Sequence, residues 1–427
     1  MRNDEMQETQ YDLKSVKLPY LAGFALRLFV KILESPLRIL LIPSLFQKSG
    51  IAWLRKQKIN EPPTYHPIRY KGSQASGSAA VPENELPTQS VPPATGFNFN
   101  TVHDFAKAYR DGINTPEDVA IRVLDIIEAS NSTKPPLRAI IAVDHDDVMK
   151  QARESSKRFK EGQALSVLDG VPVAVKDEVD MVPYPTTVGT AFLGKYPCKE
   201  DSTVVARMRA AGALLIGKAN MHEIGIGVTG LNPNHGTPRN PYAPNNYTGG
   251  SSSGPAAAIA AGLCPVSIGT DGGGSIRVPA SFCGIVGIKP TFGRISEHGA
   301  APLCWSVAHI GPLAATVSDA ALAYAVMAGP DPKDPISFHQ PLPTLNGWNK
   351  LNLKGLKLRI YWPWFRHASA DVVSICENML KQFESMGAGL QDIAIPDLEA
   401  GRIAHTITIA GEMAQALNYV YDDHHKE

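Results

Sequence analysis

Apolar and polar residues alternate along several short stretches of the chain, and this pattern predicts β-strands. Valine occupies every second position within residues 170–176, and leucine or isoleucine alternates with Lys, Arg and Tyr over residues 356–361. Mainly apolar runs, two of them beside glycines, and the pair Ile393 and Ile395 predict further strands. The apolar runs cover residues 137–143, 214–216 and 266–268.

Two segments between these strands carry the pattern of helices. Thr115 can cap a helix that continues with Pro116 and two acidic residues, and an apolar face follows at helical spacing. A second helix is predicted over residues 371–386, with Gly387 just past its end. Strands that interleave with helices predict an α/β domain with a largely parallel or mixed sheet.

The first long apolar stretch, residues 20–46, is interrupted by Arg27, Lys31, Glu34 and Arg38. Their spacings of four, three and four place all of them on one stripe of a helix, whose remaining face is apolar. Such a helix does not suit a membrane span. It favours a helix in a membrane interface or against a partner chain, with packing on the chain's own core as the alternative. Pro36 is expected to kink or break it.

Residues 72–96 are rich in Ser, Pro, Gly and Ala, which predicts a linker or an exposed flap. The sequence thus divides into an N-terminal helical region, residues 1–71, the linker, and a main domain, residues 97–427. The helical region is the one expected to contact a membrane or a second copy. The first ten residues are polar and acidic, so they predict no signal peptide.

Charge and cysteine usage narrow the function classes. Lys and Arg together number 41, as do Asp and Glu, so the formal net charge is zero. This balance argues against a nucleic-acid-binding protein driven by bulk charge. The five cysteines are scattered and form no C-x-x-C pair, so neither a disulfide framework nor a zinc site is expected.

Two glycine-rich turns within residues 247–294 carry the candidate chemistry. In the first, two glycines precede Ser251, Ser252 and Ser253, and Pro255 and a run of alanines follow. Proline at the first turn and alanine behind it favour a helix, so the serine hydroxyls are expected at a helix N-terminus. A flexible Gly/Ser linker is the alternative, and it fits poorly between structured segments.

In the second turn, the strand at residues 266–268 is followed by Gly272, Gly273, Gly274 and Ser275. Successive glycines let backbone N–H groups approach a ligand closely, as an oxyanion hole requires. The Ser275 hydroxyl is therefore a candidate nucleophile. A phosphate cradle is the alternative, but the loop matches neither of the common phosphate-binding glycine patterns.

A serine nucleophile needs a base, and the chain offers two kinds. His222 and His235 could serve a Ser-His-Asp arrangement. Lys176, at the end of a predicted apolar strand, is the better candidate, because burial disfavours the charged form of a lysine and a neutral lysine accepts a proton. The residues alone leave both possibilities open.

Five motifs, taken in order, resemble the amidase-signature family. They are GVPVAVKDEVD (170–180), GKANMHEIG (217–225), RNPY (239–242), GGSSSG (249–254) and GTDGGGSIRVPASFCGIVGIKPT (269–291). The separations also fit, with 75 residues from Lys176 to Ser251 and 24 from Ser251 to Ser275. The resemblance covers about residues 97–420, and within the family it is greatest to the plant-type fatty acid amide hydrolases.

The resemblance implies an amidase-signature α/β fold, in which a mixed β-sheet core is surrounded by α-helices and preceded by an N-terminal helical extension. It implies that Ser275 is the acyl-accepting nucleophile, Ser251 a bridging serine after a cis peptide bond, and Lys176 the base. The implied oxyanion hole consists of successive backbone N–H groups, those of Gly272, Gly273, Gly274 and Ser275. Supporting roles are implied for Thr270, Asp271, Arg277 and Ser252.

The implied activity is hydrolysis of fatty acid amides, with N-acylethanolamines giving a fatty acid and ethanolamine, through an acyl-enzyme and without a metal or cofactor. The expected partners are a lipid amide, a membrane surface and a second copy in a homodimer, with no nucleic acid. We expect an intracellular protein bound peripherally to the endoplasmic reticulum or the plasma membrane.

With this resemblance, residues 97–427 become the catalytic domain. Family members continue with a long C-terminal portion that finishes the sheet and closes part of the substrate tunnel, and we expect this chain to lack it. Three alternatives stay open. They are an amidase for peptide or aryl amides, a glutaminase-type subunit of an amidotransferase, and an inactive fragment that only binds lipid or dimerises.

Overall fold

A computed structural model of the chain describes residues 11–14, 21–58, 81–89 and 100–424. The chain divides into two compact units: residues 1–64 with 347–411 form the first, and residues 65–346 with 412–427 form the second. The domain boundaries expected near residues 71 and 96 lie outside the described residues and stay predictions.

The helices and strands alternate along most of the chain. The helices are α1 (Gly23–Glu34), α2 (Arg38–Lys48), α3 (Ile51–Leu54), α4 (Val102–Arg110), α5 (Pro116–Asn131), α6 (His145–Lys160), α7 (Thr203–Ala210), α8 (Ser253–Ala260), α9 (Arg277–Phe282), α10 (Val317–Met327), α11 (Trp362–Phe365), α12 (Ala370–Ser385) and α13 (Leu398–His424). The strands are β1 (Ile140–Ala142), β2 (Pro172–Lys176), β3 (Leu214–Ala219), β4 (Arg239–Asn240), β5 (Ala243–Tyr247), β6 (Val266–Thr270), β7 (Val286–Gly287), β8 (Ile310–Ala314), β9 (Lys357–Ile360) and β10 (Gly389–Asp392).

The second unit is built on a six-stranded sheet with the strand order β1-β3-β2-β6-β8-β7. The three central strands β3, β2 and β6 run parallel, whereas β1, β8 and β7 pair antiparallel with their neighbours. The expected α/β fold, a mixed sheet surrounded by helices with further helices at the N-terminus, is confirmed.

Helices cover both faces of this sheet, and the burial of β2 shows it. Val173 and Val175 pack in a cluster with residues of α7 and α10, while Ala174 packs in a cluster with residues of α5, α6 and α8. Alternate residues of one strand therefore enter two different cores. A strand enclosed on both faces is apolar at nearly every position, as the sequence of β2 is.

Local sequence patterns predicted the start of α5 correctly and one strand incorrectly. The Thr115 hydroxyl accepts the Asp118 N–H at 3.1 Å, and the Asp118 carboxylate accepts the Thr115 N–H at 2.8 Å, which confirms the expected cap of α5. The strand predicted at Ile393 and Ile395 was wrong, because β10 ends before it. Its partner β9 ends at Ile360, whose carbonyl oxygen accepts the Ile393 N–H at 3.0 Å, after which no ladder partner follows.

In the first unit, α1 and α2 are separate helices, and the break between them contains Pro36 as expected. Both helices leave apolar side chains exposed, and Phe24, Ile39 and Leu40 are 80%, 72% and 75% exposed. None of the helices in the described ranges is both long enough and apolar enough to cross a membrane.

Helix α8 is buried along its whole length and consists mostly of small residues. Gly254 shows why they must be small: a Cβ there would lie 2.3 Å from the backbone nitrogen of Asn220 and 2.4 Å from the carbonyl oxygen of Ala139. Backbone atoms of the sheet cannot give way as a flexible side chain can. The close approach of α8 therefore fixes the serine turn against the end of β3.

We expect Gly254→Ala to lower the free energy of unfolding by about 1–3 kcal/mol, because the new methyl group overlaps backbone atoms. Gly411→Ala is the matched control, since Gly411 lies in α13 and a Cβ there meets no atom within 4 Å. The control should be neutral or stabilising by about 0.5–1 kcal/mol. Urea denaturation measures both, and equal midpoints for Gly254→Ala and the wild type would rule out the close approach.

Candidate active site

Lys176 ends β2, and its side chain is fully buried. Its Nζ lies 2.7 Å from Ser251 Oγ, 2.6 Å from Thr270 Oγ1 and 2.8 Å from Glu178 Oε2. Thr270 ends the neighbouring parallel strand β6, so the sheet itself brings this hydroxyl to the lysine. These three polar partners provide the hydrogen bonds that the amine cannot make to solvent in this buried position.

Ser251 lies in the turn that leads into α8, and its peptide bond with Gly250 is cis. The Ser251 carbonyl oxygen accepts the N–H of His222 at 3.0 Å and that of Ser253 at 2.8 Å. Its side chain is buried and bonded to Lys176. The Ser251 carbonyl group is thus held in place while the Ser251 hydroxyl faces the lysine.

Ser252 joins this turn to the glycine loop. Its N–H donates to the carbonyl oxygen of Ser275 at 3.0 Å, and its hydroxyl donates to that of Thr270 at 3.1 Å. These bonds hold Ser275 close to the serine turn. No hydrogen bond joins the hydroxyls of Ser251 and Ser275 in the described part of the chain. Catalytic hydrogen bonds of this kind often form only when substrate is bound.

Asp271 fixes the shape of the glycine loop. Its carboxylate accepts the N–H of Gly274 at 2.7 Å and that of Ile276 at 3.0 Å, and the Arg277 guanidinium donates two bonds of 2.9 Å. Burial alone would raise the pKa of Asp271, but the bonds from Arg277 and the backbone outweigh it and lower this pKa to about 2. The carboxylate therefore stays charged and keeps the loop closed near neutral pH.

One of the four N–H groups expected in the oxyanion hole is engaged within the loop, because Gly274 donates to Asp271 Oδ1. The N–H groups of Gly273 and Ser275 make no hydrogen bond to another described residue. These two N–H groups can donate to a substrate oxygen, whereas the Gly274 N–H already donates to Asp271. The oxyanion role of Gly272, Gly273, Gly274 and Ser275 stays a prediction.

Glu178 is a member of this cluster that the sequence did not single out. Its carboxylate lies 2.8 Å from Lys176 Nζ and accepts the Thr270 hydroxyl at 2.7 Å. The available signal was its position two residues after the lysine. Three charged residues in a row, Lys176 to Glu178, do not reveal which carboxylate pairs with which amine. Asp177 faces Lys218 instead, at 3.5 Å.

The histidine alternative has no support in this geometry. His222 contributes its backbone N–H to Ser251, while its ring Nδ1 lies 3.4 Å from Thr229 Oγ1. Burial and the charge of Lys176 lower the pKa of His222. His235 Nε2 is buried without a hydrogen-bond partner in the described structure. Over residues 100–424, no histidine ring is hydrogen bonded to Ser251 or Ser275.

Possible metal ligands are also sparse here. The described residues contain no group of three or more His, Cys, Asp and Glu side chains suited to a metal ion. All five cysteines are free, and Cys304 lies beside the glycine loop, 3.0 Å from where a Cβ of Gly272 would stand. Burial raises the pKa of Cys304 to about 12, so its thiol stays protonated near neutral pH.

Comparison with known proteins agrees with the motifs. Residues 122–426 match the family model described as Amidase. The chain is 40% identical over 444 residues to a fatty acid amide hydrolase of Oryza sativa subsp. indica, an alignment that covers 98% of this chain and 73% of that protein. It is 38% identical over 440 residues to the fatty acid amide hydrolase of Arabidopsis thaliana, with 97% and 72% covered.

The fold has a solved counterpart in the native peptide amidase from Stenotrophomonas maltophilia. The two agree with a TM-score of 0.70 at 29% sequence identity, over 76% of this chain and 68% of that one. The family model covers more than half of the chain, and the curated relatives align along nearly all of it. The chain therefore belongs to the amidase-signature family, and it is an amide-hydrolysing hydrolase.

Proposed function

We propose that this enzyme hydrolyses fatty acid amides, N-acylethanolamines in particular, with Ser275 as nucleophile, Ser251 as proton bridge and Lys176 as base. The observation that carries the proposal is the 2.7 Å contact between Lys176 Nζ and Ser251 Oγ inside a buried cluster. A buried lysine that contacts a serine hydroxyl directly can act on that hydroxyl without competition from water.

The proton moves from the nucleophile towards the lysine. A neutral Lys176 accepts the proton of Ser251, and Ser251 in turn accepts the proton of Ser275. Ser275 Oγ then attacks the amide carbonyl carbon. Ser251 passes a proton to the departing nitrogen and takes one back from Lys176, so the C–N bond breaks and the lysine is neutral again. The acyl group remains on Ser275 as an ester until water, deprotonated by the same relay, releases the fatty acid.

The developing negative charge on the carbonyl oxygen needs fixed donors. The N–H groups of Gly273 and Ser275 have no partner among the described residues, which supports their use as these donors. Asp271 and Arg277 hold the loop closed. In enzymes that use such donors, each contributes about a hundredfold to a thousandfold in rate.

Two features support a lipid amide as the substrate. The relatives from Oryza sativa and Arabidopsis thaliana both carry the name fatty acid amide hydrolase. Helices α1 and α2 expose Phe24, Ile39 and Leu40, next to basic side chains such as Lys31 and Arg38. Exposed apolar residues with basic neighbours suit a membrane interface. The proposal therefore includes peripheral binding to an intracellular membrane, from which a lipid amide would enter.

An amidase for peptide amides is the second candidate. The solved peptide amidase is 29% identical to this chain over the aligned residues, which supports the same relay acting on a different acyl group. The relay itself does not distinguish the two substrates. The length of the acyl chain does, so it belongs in the functional test.

We expect release of fatty acid from a long-chain N-acylethanolamine, and we expect Ser275→Ala to lower kcat by at least about a thousandfold, because the nucleophile is gone. Ser253→Ala is the matched control, since Ser253, the first residue of α8, is also buried and its hydroxyl has no partner in the described chain. The control should stay within about threefold of the wild type. Turnover of short acyl or peptide amides but not of long-chain substrates would contradict the lipid assignment and favour the second candidate.

Replacing both Ile39 and Leu40 by Glu should weaken binding to vesicles of phosphatidylcholine and phosphatidylserine by about tenfold or more, because two exposed apolar contacts are lost and charges are added. The matched control replaces Val372 and Ile375 by Glu, two exposed apolar residues of α12. Co-sedimentation with vesicles measures both. Equal binding of the wild type and the Ile39 and Leu40 variant would exclude α1 and α2 as the membrane contact.

A further inference from the structure

Glu178 closes a ring of hydrogen bonds behind the lysine. Its Oε2 lies 2.8 Å from Lys176 Nζ and accepts the Thr270 hydroxyl at 2.7 Å, while Lys176 Nζ donates to Thr270 Oγ1 at 2.6 Å. Each of the three groups is thus bonded to the other two, and Glu178 is only 5% exposed. Because solvent has little access, the ring and not water fixes the orientation of the amine.

The ring determines which side of the lysine nitrogen faces Ser251. Besides its bond to carbon, this nitrogen carries three hydrogens as an ammonium, or two hydrogens and a lone pair as an amine. The Glu178 carboxylate accepts one N–H, and Thr270 Oγ1, whose own hydrogen points to Glu178, accepts a second. The third position, which is the lone pair of the neutral amine, is left for Ser251 Oγ.

The charge of Glu178 acts on the same nitrogen. A carboxylate at 2.8 Å stabilises the ammonium form relative to the neutral amine. Lys176 must be neutral to accept a proton in the proposed relay. The Glu178 carboxylate therefore orients the amine and at the same time favours its ammonium form, which does not accept a proton.

Three other titratable groups near the pair carry little charge near neutral pH. Burial raises the pKa of Glu297 to about 8, and repulsion by Asp334 and Glu178 contributes to this shift. Burial also raises the pKa of Cys304 to about 12 and lowers the pKa of His222. Asp177, next to Glu178 in the chain, faces Lys218. Glu178 is therefore the carboxylate that dominates the surroundings of Lys176.

We propose that Glu178 is a positioning residue, whose carboxylate aims the Lys176 amine at Ser251 and places a negative charge beside that amine. This inference rests on the proposed relay from Ser275 to Lys176. It assigns to Glu178 two separable effects: the charge of the carboxylate acts on the amine, and its reach sets the orientation.

The test measures the second-order rate constant for labelling of Ser275 by a fluorophosphonate from pH 5.5 to 9.5, which needs no choice of substrate. Glu178→Gln keeps the shape but removes the charge, so the ammonium loses stabilisation. We expect the pH profile of labelling to move to lower pH. Glu178→Asp keeps the charge but shortens the reach, so labelling should slow by about ten- to a hundredfold while its pH dependence stays in place.

Glu297→Gln is the matched control, because this carboxyl group is protonated below about pH 8 and does not bond to Lys176. It should leave both the rate and the half-maximal pH below pH 8 unchanged. A Glu178→Gln profile that superimposes on the wild type would overturn the inference. If Glu178→Gln does not fold, Glu178→Asp decides, because an unchanged labelling rate in that variant would also overturn it. Failure of the wild type to be labelled at Ser275 would instead contradict the proposed relay itself.

Discussion

A lysine amine enclosed by protein must find its polar partners inside the protein, because an unpaired buried charge is strongly destabilising. The three partners of Lys176 belong to three different segments of the chain. Thr270 ends the adjacent parallel strand, Glu178 lies in the turn after β2, and Ser251 lies in the turn before α8. The positions of these segments depend on each other through one nitrogen atom, so the sheet, the helix and both loops can only form the cluster together.

A second layer of contacts links the lysine cluster to Ser275, the proposed nucleophile. Ser252 bonds the backbones of Ser275 and Thr270, and Asp271 closes the glycine loop with bonds to its N–H groups and to Arg277. The position of Ser275 is therefore set by its backbone and not by its side chain. Its hydroxyl is left without a partner in the described structure, as suits a group that must react with a substrate.

The sequence correctly predicted the parts of the fold that depend only on residues close together in the chain. The strand β2 and the helix cap at Thr115 were confirmed for this reason. Alternate burial along a strand and hydrogen bonding of the first N–H groups of a helix are both determined by neighbouring residues. The strand predicted at Ile393 was wrong because a strand also needs a partner, and β9 ends at Ile360. The pairing of Glu178 with Lys176 was missed for the same reason, since only the folded chain shows which of two adjacent carboxylates turns towards the lysine.

The most direct test of this account is to locate the acyl group on the enzyme during turnover. A long-chain acyl nitrophenyl ester has a good leaving group, so acylation is fast and the acyl-enzyme accumulates before it is hydrolysed. After an acid quench, mass spectrometry of the digested protein should find the added acyl mass on the peptide that contains Ser275, and the Ser275→Ala variant should carry none. An acyl group on another residue, such as Ser251 or Cys304, or steady hydrolysis without any acyl-enzyme, would contradict the central claim that the buried lysine activates Ser275 through Ser251.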